Sequence, residues 1–437
     1  MEKVSDGSMQ EWPDSDRLKE ALSLAKFDIC YTMPGLKTNV TLPDLMASTL
    51  EQKLNKTVIR PSVSKDLDGV HLLIADGHLR AAVNLTAELL TEINQGFGMA
   101  GQPSNNTEYS FKVWACRLQL LMALKLYTLL NDELIPFEEL DAPDLFYQYY
   151  PNLYPKSPKG SGIENTSYFC MGETISNFWR QLFVFGRLKR FGLYSVLGSL
   201  VLFSMRLVHA EALLFTSNPW ATLERIDKLE KNVNRVLDNS GNKGEYFFKI
   251  WKDRLLAVQK MRARSLFFLK EYSTSMILYN RLSKAGGLNS EQRIALKLML
   301  MRMAMSIGDQ KNLEHYSNEI VSSGCDDQIL HRCLKYMFYG NYNEAYETLQ
   351  KCMNSLASPE LCNNMAICLL YKGQIFDAME MLKSLPGDPN EPVAINFSTI
   401  AELSTSNLVR EDLAIFAQKF DRFPDMFDPV TLKLIAS

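Results

Sequence analysis

A short sequence pattern that recurs after 33 residues constrains the fold most. Gly340-Asn-Tyr-Asn-Glu-Ala345 and Gly373-Gln-Ile-Phe-Asp-Ala378 each place an alanine five residues after a glycine. A glycine readily adopts the left-handed backbone conformation that ends a helix. The alanine is small enough for a second helix to pack closely on the first. The pattern therefore predicts successive helical hairpins.

Two further glycines keep this register. Gly77-His-Leu-Arg-Ala-Ala82 matches the same pattern, and Gly308 lies 32 residues before Gly340. A period in the low thirties is typical of tetratricopeptide-like hairpins, which must stack to bury their apolar faces. We therefore predict an all-α fold, a right-handed α-solenoid of such hairpins with an irregular N-terminal segment. The predicted repeat-packing residues are Gly77, Ala82, Gly308, Gly340, Ala345, Gly373 and Ala378.

Composition and prolines divide the chain into four predicted regions. These are an N-terminal arm and irregular segment (1–66), first helical hairpins (67–160), an atypical insertion (161–200) and repeats with a C-terminal cap (201–437). We expect residues 28–66 to pack on the first hairpin. The apolar residues between Tyr109 and Leu130 predict one helix, and Phe423 to Ile435 is the predicted cap.

The insertion differs in character from the other regions. It is rich in phenylalanine, with arginines and lysines interspersed. Its longest uncharged run, 191–205, has 15 residues, fewer than the ~20 that a membrane-spanning helix needs. An interfacial helix, a loosely packed loop and a gene-model artefact such as a translated intron remain open.

Charge and cysteine usage limit the classes of function. The 437 residues are 22% charged with a net charge of −3, which gives no electrostatic reason to expect nucleic acid or an anionic membrane as the main partner.

The eight cysteines include no C-x-x-C pair, so we predict buried, reduced thiols in a reducing compartment. Met1 to Arg17 is acidic and polar, which is unlike a secretory signal. We expect a cytoplasmic protein.

Side chains that carry chemistry are sparse. The five histidines form no metal-binding motif and lie near no nucleophile motif, and no phosphate-binding loop is present. His209 lies close to Glu211 on a predicted helix, where a structural hydrogen bond is favoured over catalysis. The sequence thus predicts no catalytic residue, no cofactor and no metal site.

Asn364 is the one candidate groove residue. First helices line the concave groove of tetratricopeptide arrays, and Asn364 occupies the sixth position of its repeat. An amide there can bond an extended peptide backbone. The alternative, in which Asn363 or Asn364 only caps or solvates its helix, has equal weight.

Five collinear blocks resemble the subunit 12 family of the transport protein particle (TRAPP) complexes. They are Pro34-Gly-Leu-Lys-Thr-Asn-Val-Thr-Leu42, Pro61-Ser-Val-Ser-Lys-Asp66, Ala142-Pro-Asp-Leu-Phe-Tyr-Gln-Tyr-Tyr-Pro151, Phe203-Ser-Met-Arg-Leu-Val-His-Ala-Glu211 and Asn363-Asn-Met-Ala-Ile-Cys-Leu-Leu-Tyr371. The Tyr-Tyr-Pro and Phe-Ser-Met-Arg blocks are not generic repeat consensus. In this chain roughly 40 additional residues separate those two blocks.

The resemblance implies a non-catalytic scaffold subunit of TRAPP III, a vesicle-tethering complex and Rab nucleotide-exchange factor in ER-to-Golgi transport and autophagy. The implied partners are the large subunits 8, 11 and 13 and the small core, and indirectly a Rab1-type GTPase. The exchange site belongs to the small core, so the resemblance carries no catalytic residue onto this chain. It implies a cytoplasmic protein that reaches ER-Golgi intermediate compartment and Golgi membranes through the complex.

Two other classes of function are weighed against the scaffold. A peptide-binding co-chaperone or adaptor would use a carboxylate clamp, but Leu330 and Leu334 occupy the positions where that clamp needs lysine and asparagine. An unrecognised enzyme would need a catalytic triad, metal cluster or phosphate loop, and none is visible in the sequence.

Overall fold

The fold of the described residues is helical throughout. The computed structural model describes residues 11–24, 31–55, 57–154, 198–241, 244–321, 328–353, 358–385 and 391–403, together with Phe416 and Asp425. Its α-helices are α1 Asp16–Ser23, α2 Leu45–Leu54, α3 Leu67–Ala75, α4 Leu79–Glu92, α5 Glu108–Ala123, α6 Tyr127–Leu134, α7 Phe203–Ala212, α8 Ala221–Asp238, α9 Glu245–Phe268, α10 Tyr272–Lys284, α11 Ser290–Ile307, α12 Gln310–Val321, α13 Gln328–Phe338, α14 Tyr342–Met353, α15 Pro359–Tyr371, α16 Ile375–Lys383 and α17 Glu391–Leu403. The only β-pairing in these ranges is one isolated bridge, between Phe146 and Ser199. The all-α prediction is confirmed.

Two predicted regions fall largely outside this description. Residues 161–197 of the atypical insertion lie outside the described residues. The predicted C-terminal cap does so as well, apart from Asp425.

The chain forms two compact units. One comprises Met1–Pro43 and Pro61–Ser275, and the other comprises Asp44–Arg60 and Met276–Ser437. In the first unit α3 packs on α4, α5 on α6, and α7 on α8; in the second, α11 packs on α12, α13 on α14, and α15 on α16. Successive hairpins also pack on one another, α4 on α5 and α14 on α15. This is the hairpin stacking that the 33-residue period predicts.

The N-terminal segment does not pack entirely on the first hairpin, so that expectation is wrong for α2. Leu42 does reach the first hairpin, because its backbone N–H donates to Asn84 Oδ1 at 2.7 Å and its carbonyl accepts from Asn84 Nδ2 at 2.9 Å. Helix α2 instead buries Met46, Ala47 and Leu50 in a core cluster of the second unit, against side chains of α15, α16 and α17. The segment therefore contributes to the cores of both units.

Within the described residues, six turns between successive helices share one backbone arrangement. A residue with φ between 59° and 80° ends the first helix, and the N–H of the next residue donates to the carbonyl five residues back at 2.8–2.9 Å. These left-handed residues are Gly77, Lys125, Lys270, Gly308, Gly340 and Gly373. The bond satisfies a carbonyl that the end of the helix would otherwise leave without a partner.

Lysine at two of these positions explains an error in the helix prediction. Tyr109 to Leu130 is two helices, α5 and α6, because Lys125 adopts φ 59° and Leu126 N–H closes the turn on the Leu121 carbonyl at 2.9 Å. Lysine carries no sequence signal for a left-handed turn.

Substitutions at two of these turns should change the free energy of unfolding in opposite directions. Gly340→Ala should destabilise the second unit by about 1 kcal/mol, since a left-handed backbone costs a residue with a Cβ about 1–2 kcal/mol. No atom lies within 4 Å of the added Cβ, so backbone strain is the main term. Lys270→Gly should stabilise the first unit by up to ~1 kcal/mol, because relieved strain exceeds the extra entropy of the unfolded glycine. Urea unfolding followed by circular dichroism measures both, and shifts of the same sign would contradict the argument.

Candidate protein-interaction surface

The predicted packing residues lie where hairpins meet. Ala82, Ala345 and Ala378 are fully buried near the start of the second helix of their hairpins. Ala345 lies in a cluster with Cys333, Leu349, Met365 and Cys368, which joins α13, α14 and α15. Gly77, Gly308, Gly340 and Gly373 all have positive φ, between 75° and 80°.

Aromatic side chains collect beside two of these turns. Tyr371 and Phe376 flank Gly373 and are 65% and 70% exposed. Tyr339 and Tyr342 flank Gly340, and Tyr342 stacks on Tyr371 with ring centroids 4.5 Å apart and an interplanar angle of 3°. This stack brings the two turns together. We call Tyr339, Tyr342, Tyr371 and Phe376 the aromatic turn edge.

Polar contacts hold Tyr339 of this edge, and side chains next to the edge, in place. Tyr339 Oη donates to Glu314 Oε1 at 2.8 Å, and Lys335 Nζ donates to Glu314 Oε2 at 2.6 Å. The Lys372 ammonium lies 4.8 Å from the Tyr346 ring centroid. Aromatic rings held in this way lose little conformational entropy on binding, and aromatic residues are enriched at the centres of protein interfaces. The edge is therefore the candidate interaction surface of the second unit.

The candidate groove asparagine is adjacent to a structural one. Asn363 Oδ1 accepts from Asn396 Nδ2 at 2.8 Å, which ties α15 to α17. Ser358 is the N-cap of α15 and accepts from Leu361 N–H at 3.3 Å, so neither asparagine caps the helix. Asn364 is half-buried, and its role in a groove remains a prediction.

Helix α7, from the Phe-Ser-Met-Arg block, is buried but carries three ionisable side chains. Arg206, His209 and Glu211 are each less than 10% exposed, and α7 packs against α5, α6 and α8. Arg264 donates twice to Glu211 Oε1, at 2.6 and 3.1 Å, which fixes α9 against α7. The block carries the resemblance in sequence, and its polar side chains hold the helix pairs of the first unit together. Sequence reasoning did not identify the roles of Arg206 and Glu211.

His209 has a structural hydrogen bond, as predicted, but its partner differs from the glutamate beside it. The Nε2 atom lies 2.6 Å from the Glu138 carbonyl oxygen, so Nε2 carries the proton and donates. Burial, and then the nearby Arg225, lowers the pKa of His209 to about 3. The imidazole is therefore neutral at physiological pH and acts as a fixed donor.

The cysteine side chains in the described ranges form no disulfide bond. Cys333, Cys362 and Cys368 are buried and Cys116 is half-buried. Burial raises the pKa of Cys368 to about 11, which keeps the thiol protonated and unreactive. Cys30, Cys170 and Cys325 and the side chain of Cys352 lie outside the description.

The described residues show neither a cluster of metal ligands nor a membrane-spanning helix. No group of three or more histidine, cysteine, aspartate or glutamate side chains in the described ranges is arranged to hold a metal ion. None of the helices in those ranges combines the length and apolar character needed to cross a membrane.

Comparison with known proteins gives two relatives. The trafficking protein particle complex subunit 12 of Mus musculus is 28% identical over 442 residues, which cover 92% of this chain and 50% of the mouse protein. The subunit of the same name from Homo sapiens is also 28% identical over 442 residues, 92% of this chain and 54% of the human protein. The chain thus spans about half the length of these curated relatives. No protein-family model matches. The resemblance to TRAPP subunit 12 that the sequence blocks predicted is confirmed.

Proposed function

We propose that this chain is a non-catalytic scaffold subunit of a TRAPP III-like complex, which tethers vesicles and promotes nucleotide exchange on a Rab GTPase. The similarity to subunit 12 along 92% of the chain is the observation that carries the proposal. ER-to-Golgi transport and autophagy are the processes that we assign to it. Stacked hairpins suit this role because each hairpin is held by its neighbours, which leaves the outer faces of the stack available for partners.

The proposal includes partners and location. The other TRAPP III subunits, namely the large subunits 8, 11 and 13 and the small core, are the direct partners, and a Rab1-type GTPase is engaged indirectly. We place the exchange site in the small core and no catalytic residue in this chain. The protein is then cytoplasmic and reaches ER-Golgi intermediate compartment and Golgi membranes through the complex.

Affinity capture tests both the assembly and the surface. The tagged full-length chain is expressed in cells and captured at physiological salt, and the co-purifying TRAPP subunits are quantified by mass spectrometry. We expect the other TRAPP III subunits in near-equal amounts. The variant Tyr371→Ser/Phe376→Ser should reduce their recovery about tenfold or more, because truncating an interface hot-spot aromatic costs ~2 kcal/mol or more.

A matched control tests whether the reduced recovery is specific to the aromatic turn edge. Val40→Ser/Leu72→Ser removes two large side chains of the first unit that are comparably exposed, and it should leave recovery unchanged. Absence of TRAPP subunits with the unsubstituted chain would overturn the proposed function. Equal losses from both double variants would not contradict the proposed assembly, but they would show that the aromatic turn edge is not its specific binding surface.

The runner-up function is a tetratricopeptide co-chaperone or adaptor unrelated to tethering. Leu330 and Leu334 are half-buried apolar side chains of α13, and neither can donate to a carboxylate. A fluorescence titration with an acidic C-terminal peptide distinguishes the two functions. Micromolar binding would favour the co-chaperone, and the scaffold proposal expects none.

A further inference from the structure

A buried guanidinium in the first unit has only neutral acceptors. Arg206 is 5% exposed. Its Nη2 donates to Ser199 Oγ at 2.7 Å and its Nη1 to the Leu140 carbonyl at 3.5 Å. Its guanidinium lies over the Trp12 ring, 3.9 Å from the centroid. Burying a cation without an anion is costly, so a negative charge placed beside Arg206 would be stabilised.

Two more cations lie close by and share one carboxylate. Arg225 donates to Glu139 Oε1 through Nε at 3.2 Å and Nη2 at 3.0 Å, while Lys228 Nζ reaches Glu139 Oε2 at 3.2 Å. Arg225 Nη1 also donates to the His209 carbonyl at 3.1 Å. Although burial opposes it, this pair of cations holds the pKa of Glu139 below its usual value. Glu139 is thus ionised and offsets only one of the two charges.

The three cations and Glu139 line one cavity. Its walls include Trp12, Glu139, Arg206, Arg225 and Lys228, and Asn232 adds an amide donor. Lys228 is 67% exposed, so the cavity is accessible from solvent on that side. Burial and the nearby Arg254 lower the pKa of Arg206 to about 9, which leaves it charged at physiological pH. With His209 neutral, three cations and one carboxylate give the lining a net charge of +2.

We propose that this cavity beneath Trp12 binds a phosphate group. A phosphate monoester carries about −1.5 to −2 charges at pH 7 and three strong acceptor oxygens, which match the net charge of the lining and its arginine, lysine and asparagine side chains. Arginine and lysine are the side chains that proteins use for phosphate. The phosphate can come from free inorganic phosphate or from a phosphorylated lipid headgroup. The site lies in the first unit and does not depend on the proposed scaffold function.

Calorimetric titration of the full-length chain with sodium phosphate, at constant ionic strength, tests the proposal. A second titration uses vesicles of phosphatidylcholine with and without phosphatidylinositol 4-phosphate. We expect saturable binding to at least one probe. Lys228→Glu should weaken it at least tenfold, since it removes one donor and adds a repelling charge. Lys228→Arg should retain binding.

Lys231→Glu is the matched control, because Lys231 is an exposed lysine on the same helix and outside the cavity lining. It should change the affinity less than twofold. Binding of free phosphate with this contrast supports a small-anion site. Binding of the phosphorylated vesicles alone, with the same contrast, supports the same site with a lipid as the source. No binding to either probe, or equal weakening by the two glutamate variants, would overturn the proposal.

Discussion

Glu133→Ala should lower the free energy of unfolding of the first unit by about 3–5 kcal/mol, the usual cost of breaking a buried ion pair by removing one partner. Arg117 and Glu133 are 2% and 0% exposed. Arg117 donates through Nε to Glu133 Oε2 at 2.7 Å and through Nη2 to Oε1 at 2.8 Å. A third donor, Nη1, reaches the Val83 carbonyl at 3.0 Å, so the pair joins α4, α5 and α6. The substitution would leave the guanidinium buried without its anion.

The double variant Arg117→Met/Glu133→Leu separates the cost of an orphaned charge from the net value of the pair. Apolar replacements of both partners are often neutral or stabilising, so the double variant should be more stable than Glu133→Ala. Urea unfolding of the variants, including Arg117→Met and Glu133→Leu alone, gives a coupling energy, expected to reach ~2 kcal/mol. A near-zero coupling would mean that the two side chains act independently.

Glu88→Ala supplies the exposed counterpart. Glu88 pairs with Lys65 at 2.8 Å, and the two side chains are about half and two-thirds exposed. Exposed ion pairs contribute at most about 1 kcal/mol, so this variant should unfold close to the unsubstituted chain. If Glu88→Ala and Glu133→Ala destabilised equally, burial would not be the source of the effect.

The turns at glycine are the part of the fold that could be predicted from the sequence. Gly308, Gly340 and Gly373 mark their turns because a left-handed residue is easiest for glycine, and the helices on either side follow from the 3.6-residue apolar period. Lys125 and Lys270 take the same conformation without that signal. The Lys125 turn was missed because the apolar pattern runs through it.

Long-range partners account for what the sequence did not predict. The pairing of Arg117 with Glu133 depends on how α6 folds back on α5. The burial of Arg206 beneath Trp12 joins two residues that are far apart along the chain. Helix α2 is short, and nothing in its sequence indicates that it packs on α15, α16 and α17. The candidate surface was missed for a related reason. Tyr371 and Phe376 are apolar and sit among core residues of the repeat, so only the structure distinguishes them from buried side chains.

Ala378→Trp should cost about 1–3 kcal/mol or more, because the indole must enter a filled core. Ala378 is fully buried and belongs to the cluster that includes Leu369, Met379, Leu382 and Phe397. Since neighbouring hairpins stabilise one another through their interfaces, the damage should spread from α16 to α15 and α17. Amide hydrogen exchange across these helices, together with chemical unfolding, measures both the size and the spread. Ala345→Trp should act in the same way from the preceding hairpin.

Glu380→Trp places the same indole on the solvent face of α16. Glu380 is 72% exposed and pairs with Lys383 at 3.0 Å, so its loss should change stability by about 0.5 kcal/mol or less. A large loss of stability at Ala378 and a small one at Glu380 would show that the face of α16 carrying Ala378 packs against the neighbouring helices. The register from Gly373 predicts this packing. Unchanged stability in both Ala345→Trp and Ala378→Trp would contradict that register, because a side chain of this size cannot be accommodated between closely packed helices without displacing them.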